Sequence, residues 1–308
     1  MSLLNQQDQS GYVFGMGAVL LWSGFILVSR LGGISELNHY DVVALRYATC
    51  ALIVLPIWWF KFRFNVFQWR YVAAALVGGL GYALCTFHGF QLAPASHGAL
   101  LLPGAMPLFI FLLALSVGQA KLNMQSVFSV AVISAGILIL FFGQVSNQQV
   151  DASILMGDGL FLLGAFFWGV FSILIKRWGL SPWQVTISMA LLTSIMYLPF
   201  YIMFAPKNIA LHLWPEMGLQ MFYQGFLATI VQMLLYVRAV ALIGASGMGA
   251  LMALVPLIAG VAALILFDEP ATVSLLIGLL CVALGAWLNH SPLLGKYLSS
   301  GAVLKTQR

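Results

Sequence analysis

The sequence predicts an all-α integral membrane protein of ten transmembrane helices, arranged as two inverted five-helix repeats. Composition is the first reason: of 308 residues, 62% are apolar and only 7% charged, and the mean hydropathy is +1.01. A water-facing domain carries roughly a quarter of its residues as Asp, Glu, Lys and Arg, so a surface this poor in charge faces lipid. The second reason is a series of apolar runs, each near the roughly 20 helical residues that a bilayer core of about 30 Å requires. The third is an internal repeat at a nearly constant offset. Lipid offers the backbone no water, and the runs lack the period-2 alternation of barrel strands, so they are read as helices.

The first run, Tyr12 to Ser29, follows a polar amino terminus with no Lys or Arg before Arg30, and no small-residue cleavage pattern closes it. It is therefore expected to be a retained helix and not a signal peptide. Val42 to Phe60 carries Arg46 in its first turns. Tyr71 to Phe90 carries Tyr82 and His88 and leads through Gln91 to a break at Pro94. Gly98 to Val117 begins beside His97 and is expected to be interrupted at Pro103 and Pro107, since each proline lacks an N–H and bends its helix. Met124 to Phe142 closes the first half, and Gly159 to Ile175, which contains Trp168, opens the second just after Asp158. Val185 to Phe204 is followed by Met217 to Leu242, which holds Gln232, Tyr236 and Arg238. Gly247 to Phe267, with Pro256, and Val273 to Leu288 complete the ten. The connections are too short for a soluble domain, so residues 1–150 and 151–308 are expected to form two repeats of one membrane transport domain.

Orientation follows from the basic residues, which accumulate in short cytoplasmic loops. With the amino terminus inside, nine Lys and Arg fall on the cytoplasmic side, at Lys61, Arg63, Arg70, Lys121, Lys176, Arg177, Lys296, Lys305 and Arg308. Only Arg30 and Lys207 fall outside, with Arg46 and Arg238 inside helices. Both termini are therefore expected in the cytoplasm, and the Gly143 to Met156 connection outside, in a bacterial inner membrane. Trp58, Trp59, Trp69, Trp178, Trp183 and Trp214 cluster near run ends, as interfacial anchors do.

The repeat appears when the chain is slid along itself. A shift of 149 pairs Gly98 with Gly247, Leu102 with Leu251, Pro107 with Pro256, Leu108 with Leu257, Leu115 with Leu264 and Gly136 with Gly285. A shift of 146 pairs Gly11 with Gly157, Trp22 with Trp168, Phe25 with Phe171 and Arg30 with Lys176. Five helices per copy is an odd number, so the second copy enters the membrane from the opposite side. Inverted repeats let one fold open alternately to each face around a central site, as secondary transport requires.

The ten helices, the duplication and the stretches Ala95 to Pro107 and Gly244 to Pro256 resemble the EamA-type carriers of the drug/metabolite transporter superfamily. The sequence FDEP at Phe267 to Pro270 stands where these carriers often have Gly-Glu; Glu269 matches and Phe267-Asp268 departs. The first-half equivalent, Val117 to Ala120, has no acid. The resemblance implies export or exchange of amino acids, nucleotide-related metabolites or other small solutes, usually without ATP. Other classes lack their motifs. There is no GxxxxGK[ST] phosphate loop, no GxSxG or HExxH, and no TVGYG filter, which argues against a pump, an enzyme and a K⁺-type channel. The 13 basic residues are scattered among apolar runs, against nucleic acid. Cys50, Cys85 and Cys281 lie inside apolar segments without metal-ligand spacing, so no disulfide, metal or cofactor is expected.

Ionisable groups at membrane depth are costly and mark candidate sites. They are His88, His97, Arg46, Arg238 and Asp158, a mainly cationic set. Arg46 has a structural alternative, an ion pair with Asp41 or Asp158, and Arg238 has snorkelling to the surface. Trp22, Tyr82, Gln91, Trp168, Gln232 and Tyr236 combine apolar faces with hydrogen-bonding tips and are candidate cavity walls. Substrate contact is thus expected from these six with His88, His97 and Arg238, and coupling or gating from His97, Arg46, Asp158, Pro103, Pro107 and Pro256. The substrate expected is a small anionic or zwitterionic metabolite such as an amino acid, met by Arg238 or a histidine, with a cationic solute as the alternative. His88 and His97 are the groups expected to titrate near neutral pH in the outer half, and His97 is expected to carry proton coupling.

Overall fold

The computed structural model describes residues 6–119, 122–146 and 151–290, and among them every regular element is helical. Nine of the described helices are long and apolar enough to cross a membrane: α1 (Gln9–Ile34), α2 (His39–Phe62), α3 (Trp69–Leu92), α4 (Ala95–Ser116), α5 (Met124–Gln144), α6 (Ala152–Trp178), α7 (Pro182–Met203), α8 (Leu211–Gly244) and α9 (Gly247–Leu266). A shorter apolar helix comes last, α10 (Val273–Asn289). Each corresponds to one expected run. Lys121, Lys296, Lys305 and Arg308, both ends of the chain and residues 147–150 lie outside the described residues.

Caps set the starts that hydropathy alone misses. Asn38 and Asp41 form a capping box, the Asn38 side chain accepting from the Asp41 N–H at 2.9 Å and Asp41 accepting from the Asn38 N–H at 3.0 Å, so α2 begins three residues before Val42. Asp151 caps α6, which places Asp158 inside the helix and not at its start. Ser181 and Gln184 box the start of α7 with Pro182 in its first turn.

The prolines behave differently from expectation. Helix α4 runs unbroken through Pro103 and Pro107, because lateral packing in a membrane bundle tolerates the lost bonds. Its partner α9 is broken at Ala253–Leu254, just before Pro256. The interruption expected in α4 is thus found in its repeat partner α9 instead. At the other end of that segment, Gly244 adopts φ 75°, ψ 164°, a backbone state open to glycine, and separates α8 from α9.

Among the described residues a short π-helical stretch, Trp58–Phe62, ends α2, and two longer ones lie at Ala75–Gly81 in α3 and Met221–Val231 in α8. The longer two occupy the third helix of each half.

Most of the larger helix pairings recur when the two halves are exchanged, although α1 also packs on α3 with no counterpart of like extent between α6 and α8. Helix α1 packs on α8 as α3 packs on α6; α1 meets α9 as α4 meets α6; α2 meets α8 as α3 meets α7. The pairs α2–α7, α4–α9 and α5–α10 map onto themselves. Glycine sets the last of these. A Cβ on Gly278 would stand 3.0 Å from the Gly136 carbonyl oxygen and 2.7 Å from Leu100, so α5 and α10 touch backbone to backbone. The outer surface bears exposed Leu20, Leu52, Phe60, Leu76, Phe128, Ile195, Phe222 and Ile265, the inverse of a soluble protein.

Candidate functional site

Near mid-length of α1, α3, α6 and α8 lies a cavity of about 70 Å³, lined by Trp22, Phe25, Arg46, Tyr82, Trp168, Ala228 and Gln232. Trp22 and Trp168, the Trp pair of the sequence repeat, meet edge to face with centroids 6.0 Å apart, and Tyr82 packs on Trp168 at 4.9 Å. Tyr82 and Gln232 each directly succeed a π-helical stretch. A π turn inserts a residue and rotates the next helical turns onto a new face, a device frequent at functional sites.

Arg46 is the charge of this cavity and is only 8% exposed. Its Nη1 donates to Gln224 Oε1 at 3.2 Å, and its Nε has no partner. The guanidinium lies 5.4 Å from the Phe25 ring and 5.8 Å from those of Tyr47 and Phe87, within cation–π range. Gln224 is fully buried and is held in turn by donating to Ser29 Oγ at 3.0 Å. Among the described residues the ion pairs are His97–Asp158 and His212–Glu36, so neither expected acid pairs with Arg46. Asp41 instead accepts from the Tyr201 hydroxyl at 2.6 Å and the Asn208 N–H at 3.1 Å.

A second cavity, of about 640 Å³, lies where α4 begins and α5 ends, lined by Ser96, His97, Gln144, Asp151, Thr272 and Ser274 among others. The His97 Nδ1–H donates to the carboxylate of fully buried Asp158 at 2.9 Å, and Gln144 donates to the same carboxylate at 3.0 Å. Glu269 accepts from the N–H groups of Ala95 and Ser96 at 2.6 and 2.9 Å, placing a carboxylate on the positive end of α4. At the rim, the Ser153 N–H and hydroxyl hold the Asp151 carboxyl below the usual carboxylate range.

His88 and Gln91 belong to a third cluster. His88 stacks on His39 with centroids 4.1 Å apart and planes 7° off parallel, and the His39 Nδ1–H donates to Gln91 Oε1 at 2.7 Å. His39 thus joins His88 and His97 as an imidazole near this face. Tyr236 packs against the main core without lining the central cavity. Arg238 is exposed on α8 and lines neither cavity. Pro103, Pro107 and Pro256 line neither cavity.

Of the expected residues, Trp22, Arg46, Tyr82, Trp168 and Gln232 are therefore brought together, and His97 with Asp158 forms a separate pair. Sequence reasoning passed over Gln224, Gln144 and His39. Gln224 was detectable as a polar residue inside the apolar Met217 to Leu242 run, whereas Gln144 and His39 sit at helix ends, where polarity is ordinary.

No curated protein matches the chain in sequence. A solved structure, titled only as the crystal structure of a protein, superposes with a TM-score of 0.61 over 94% of this chain and 99% of its own at 18% identity, a likeness that concerns the fold alone. The family model of the EamA-like transporters matches twice, over residues 9–142 and 155–290. With helices suited to repeated membrane crossing, the chain belongs to the EamA-like transporter family, as a multi-pass membrane transporter of the drug/metabolite transporter superfamily.

Proposed function

We propose that this protein is a secondary transporter, an exporter or exchanger, of a small anionic or zwitterionic organic metabolite, and that the central cavity is its binding site. Buried Arg46, without a carboxylate partner and facing Trp22, Trp168, Tyr82 and Gln232, carries this reading. A buried charge left unpaired is costly, and a ligand carboxylate would supply the missing partner. The anion thus goes to Arg46 in place of Arg238 or a histidine.

Residues 1–150 and 151–308 act as inverted repeats in this reading, and alternating access rocks one against the other. Support comes from the exchangeable helix pairing and from the matched π-helical stretches of α3 and α8. Both termini face the cytoplasm of a bacterial inner membrane, on the asymmetry of the basic residues. His97 and Asp158 carry the coupling proton; Gln144 donates to the same carboxylate, and Asp151 and Glu269 are the nearby acids. Counterflow of radiolabelled metabolites in proteoliposomes tests the assignment. An anionic or zwitterionic solute should exchange in wild type and stop in Arg46→Gln. Exchange confined to cations, or unaffected by the substitution, overturns it.

A further inference from the structure

Resting on the reading of Arg46 as the partner of an anion, we propose that the central cavity selects organic carboxylates without an α-ammonium group over the corresponding amino acids and amines. Its lining supplies one full positive charge and no negative one. A zwitterion bound by its carboxylate to Arg46 carries its ammonium on the adjacent carbon, a few ångströms from the guanidinium. No carboxylate in the lining offsets that repulsion, which leaves the Gln232 amide oxygen and ring faces to meet an ammonium.

Three acids near the helix ends or inside the bundle are committed to other partners. Asp41 is held by Tyr201 and Asn208, Asp158 by His97 and Gln144, and Glu269 by the N–H groups of Ala95 and Ser96. None of the three lines the central cavity. The amide oxygen nearest the charge, Gln224 Oε1, already accepts from Arg46. Aromatic faces can hold an ammonium by cation–π attraction, yet the Phe25, Tyr47 and Phe87 rings already face Arg46 itself. The remaining aromatic surface, the Trp22–Trp168 pair and Tyr82, suits a flat apolar body.

Size adds a constraint. A cavity of about 70 Å³ is small beside the roughly 300–1,000 Å³ of drug-sized ligand sites, so it suits a small carboxylate. A larger body enters by parting Trp22 from Trp168.

Two matched sets test the selection on the purified full-length protein, by calorimetry and by ligand-induced shift of the thermal midpoint: propanoate, alanine and ethylamine, then 3-phenylpropanoate, phenylalanine and phenethylamine. In at least one set the carboxylate should bind at least tenfold tighter than its amino acid, the amine should not bind measurably, and Arg46→Met should weaken the carboxylate's binding at least about 30-fold. Trp22→Ala should weaken 3-phenylpropanoate at least fivefold, a readout that stands if the Arg46 variant fails to fold. An amino acid that binds as tightly as its carboxylate, and through Arg46, overturns the selection while leaving the anion reading intact. An amine that binds best, or carboxylate binding that stays within threefold of wild type in Arg46→Met, overturns both. Absence of binding by all six compounds overturns the selection.

Discussion

Replacing Arg46 by Met separates a binding role from a structural one, because the two roles predict opposite pairs of results. In the unliganded fold the guanidinium has one hydrogen bond, to Gln224, and three ring contacts. A hydrogen bond involving a charged group contributes about 1.5–3 kcal/mol and cation–π contacts about 0.5–2 kcal/mol. Against these stands the desolvation of an ion with no counter-charge, an effective penalty of several kcal/mol. The contributions cancel to within a few kcal/mol, so Arg46→Met should shift the thermal midpoint little compared with its effect on binding. Affinity should respond differently. Truncating one partner of a buried charged pair costs about 2–5 kcal/mol, which at about 1.4 kcal/mol per tenfold weakens binding roughly 30- to 4,000-fold. Scanning calorimetry of both proteins, with titration by 3-phenylpropanoate or propanoate, whichever binds wild type, reads both quantities. The reasoning is refuted if the midpoint falls by several degrees, as loss of roughly 3 kcal/mol would cause, while affinity stays within threefold of wild type.

Gly278→Val should force α10 from α5, because its Cβ meets the Gly136 carbonyl oxygen and Leu100; a loss of about 1–3 kcal/mol is expected, read as a lower thermal midpoint. Glu269→Gln removes the charge, though not every acceptor, from the start of α4, and should cost about 1 kcal/mol and speed amide exchange at residues 95–98. His97→Gln should abolish accumulation driven by a pH gradient while exchange at equal pH survives; if His97→Gln and His88→Gln both accumulate normally, these histidines carry no coupling. A reporter fused after Arg308 should be active only in cytoplasmic form, and activity confined to the periplasmic form would reverse the proposed orientation.

Hydropathy is a local property, and it located the nine long apolar helices and the shorter tenth among the described residues, since lipid demands an apolar run wherever a helix crosses. The repeat was legible too, and its Trp22–Trp168 correspondence named two residues that meet in the folded chain. Partnership was beyond the linear pattern. Arg46 and Gln224 are 178 residues apart, His97 and Asp158 are 61, and Ala95 and Glu269 are 174. Whether a buried charge is paired depends on which helices adjoin it, so Asp41 and Asp158 were equally plausible partners for Arg46 until packing gave each to other groups. The same limit explains Arg238. A cation inside an apolar run reads alike whether it faces the bundle or its surface, and only the rotation of α8, altered by its π-helical stretch, turned Gln232 to the cavity and left Arg238 exposed. Proline behaviour was also a tertiary matter: Pro107 and Pro256 share one repeat position, yet α4 continues through the first and α9 breaks before the second. The sequence by itself determined the helices, their lipid-facing character and the duplication, because each arises from residues near one another in the chain. The tertiary structure alone decided which polar groups meet, because burial, pairing and helix rotation are set by neighbours distant along it.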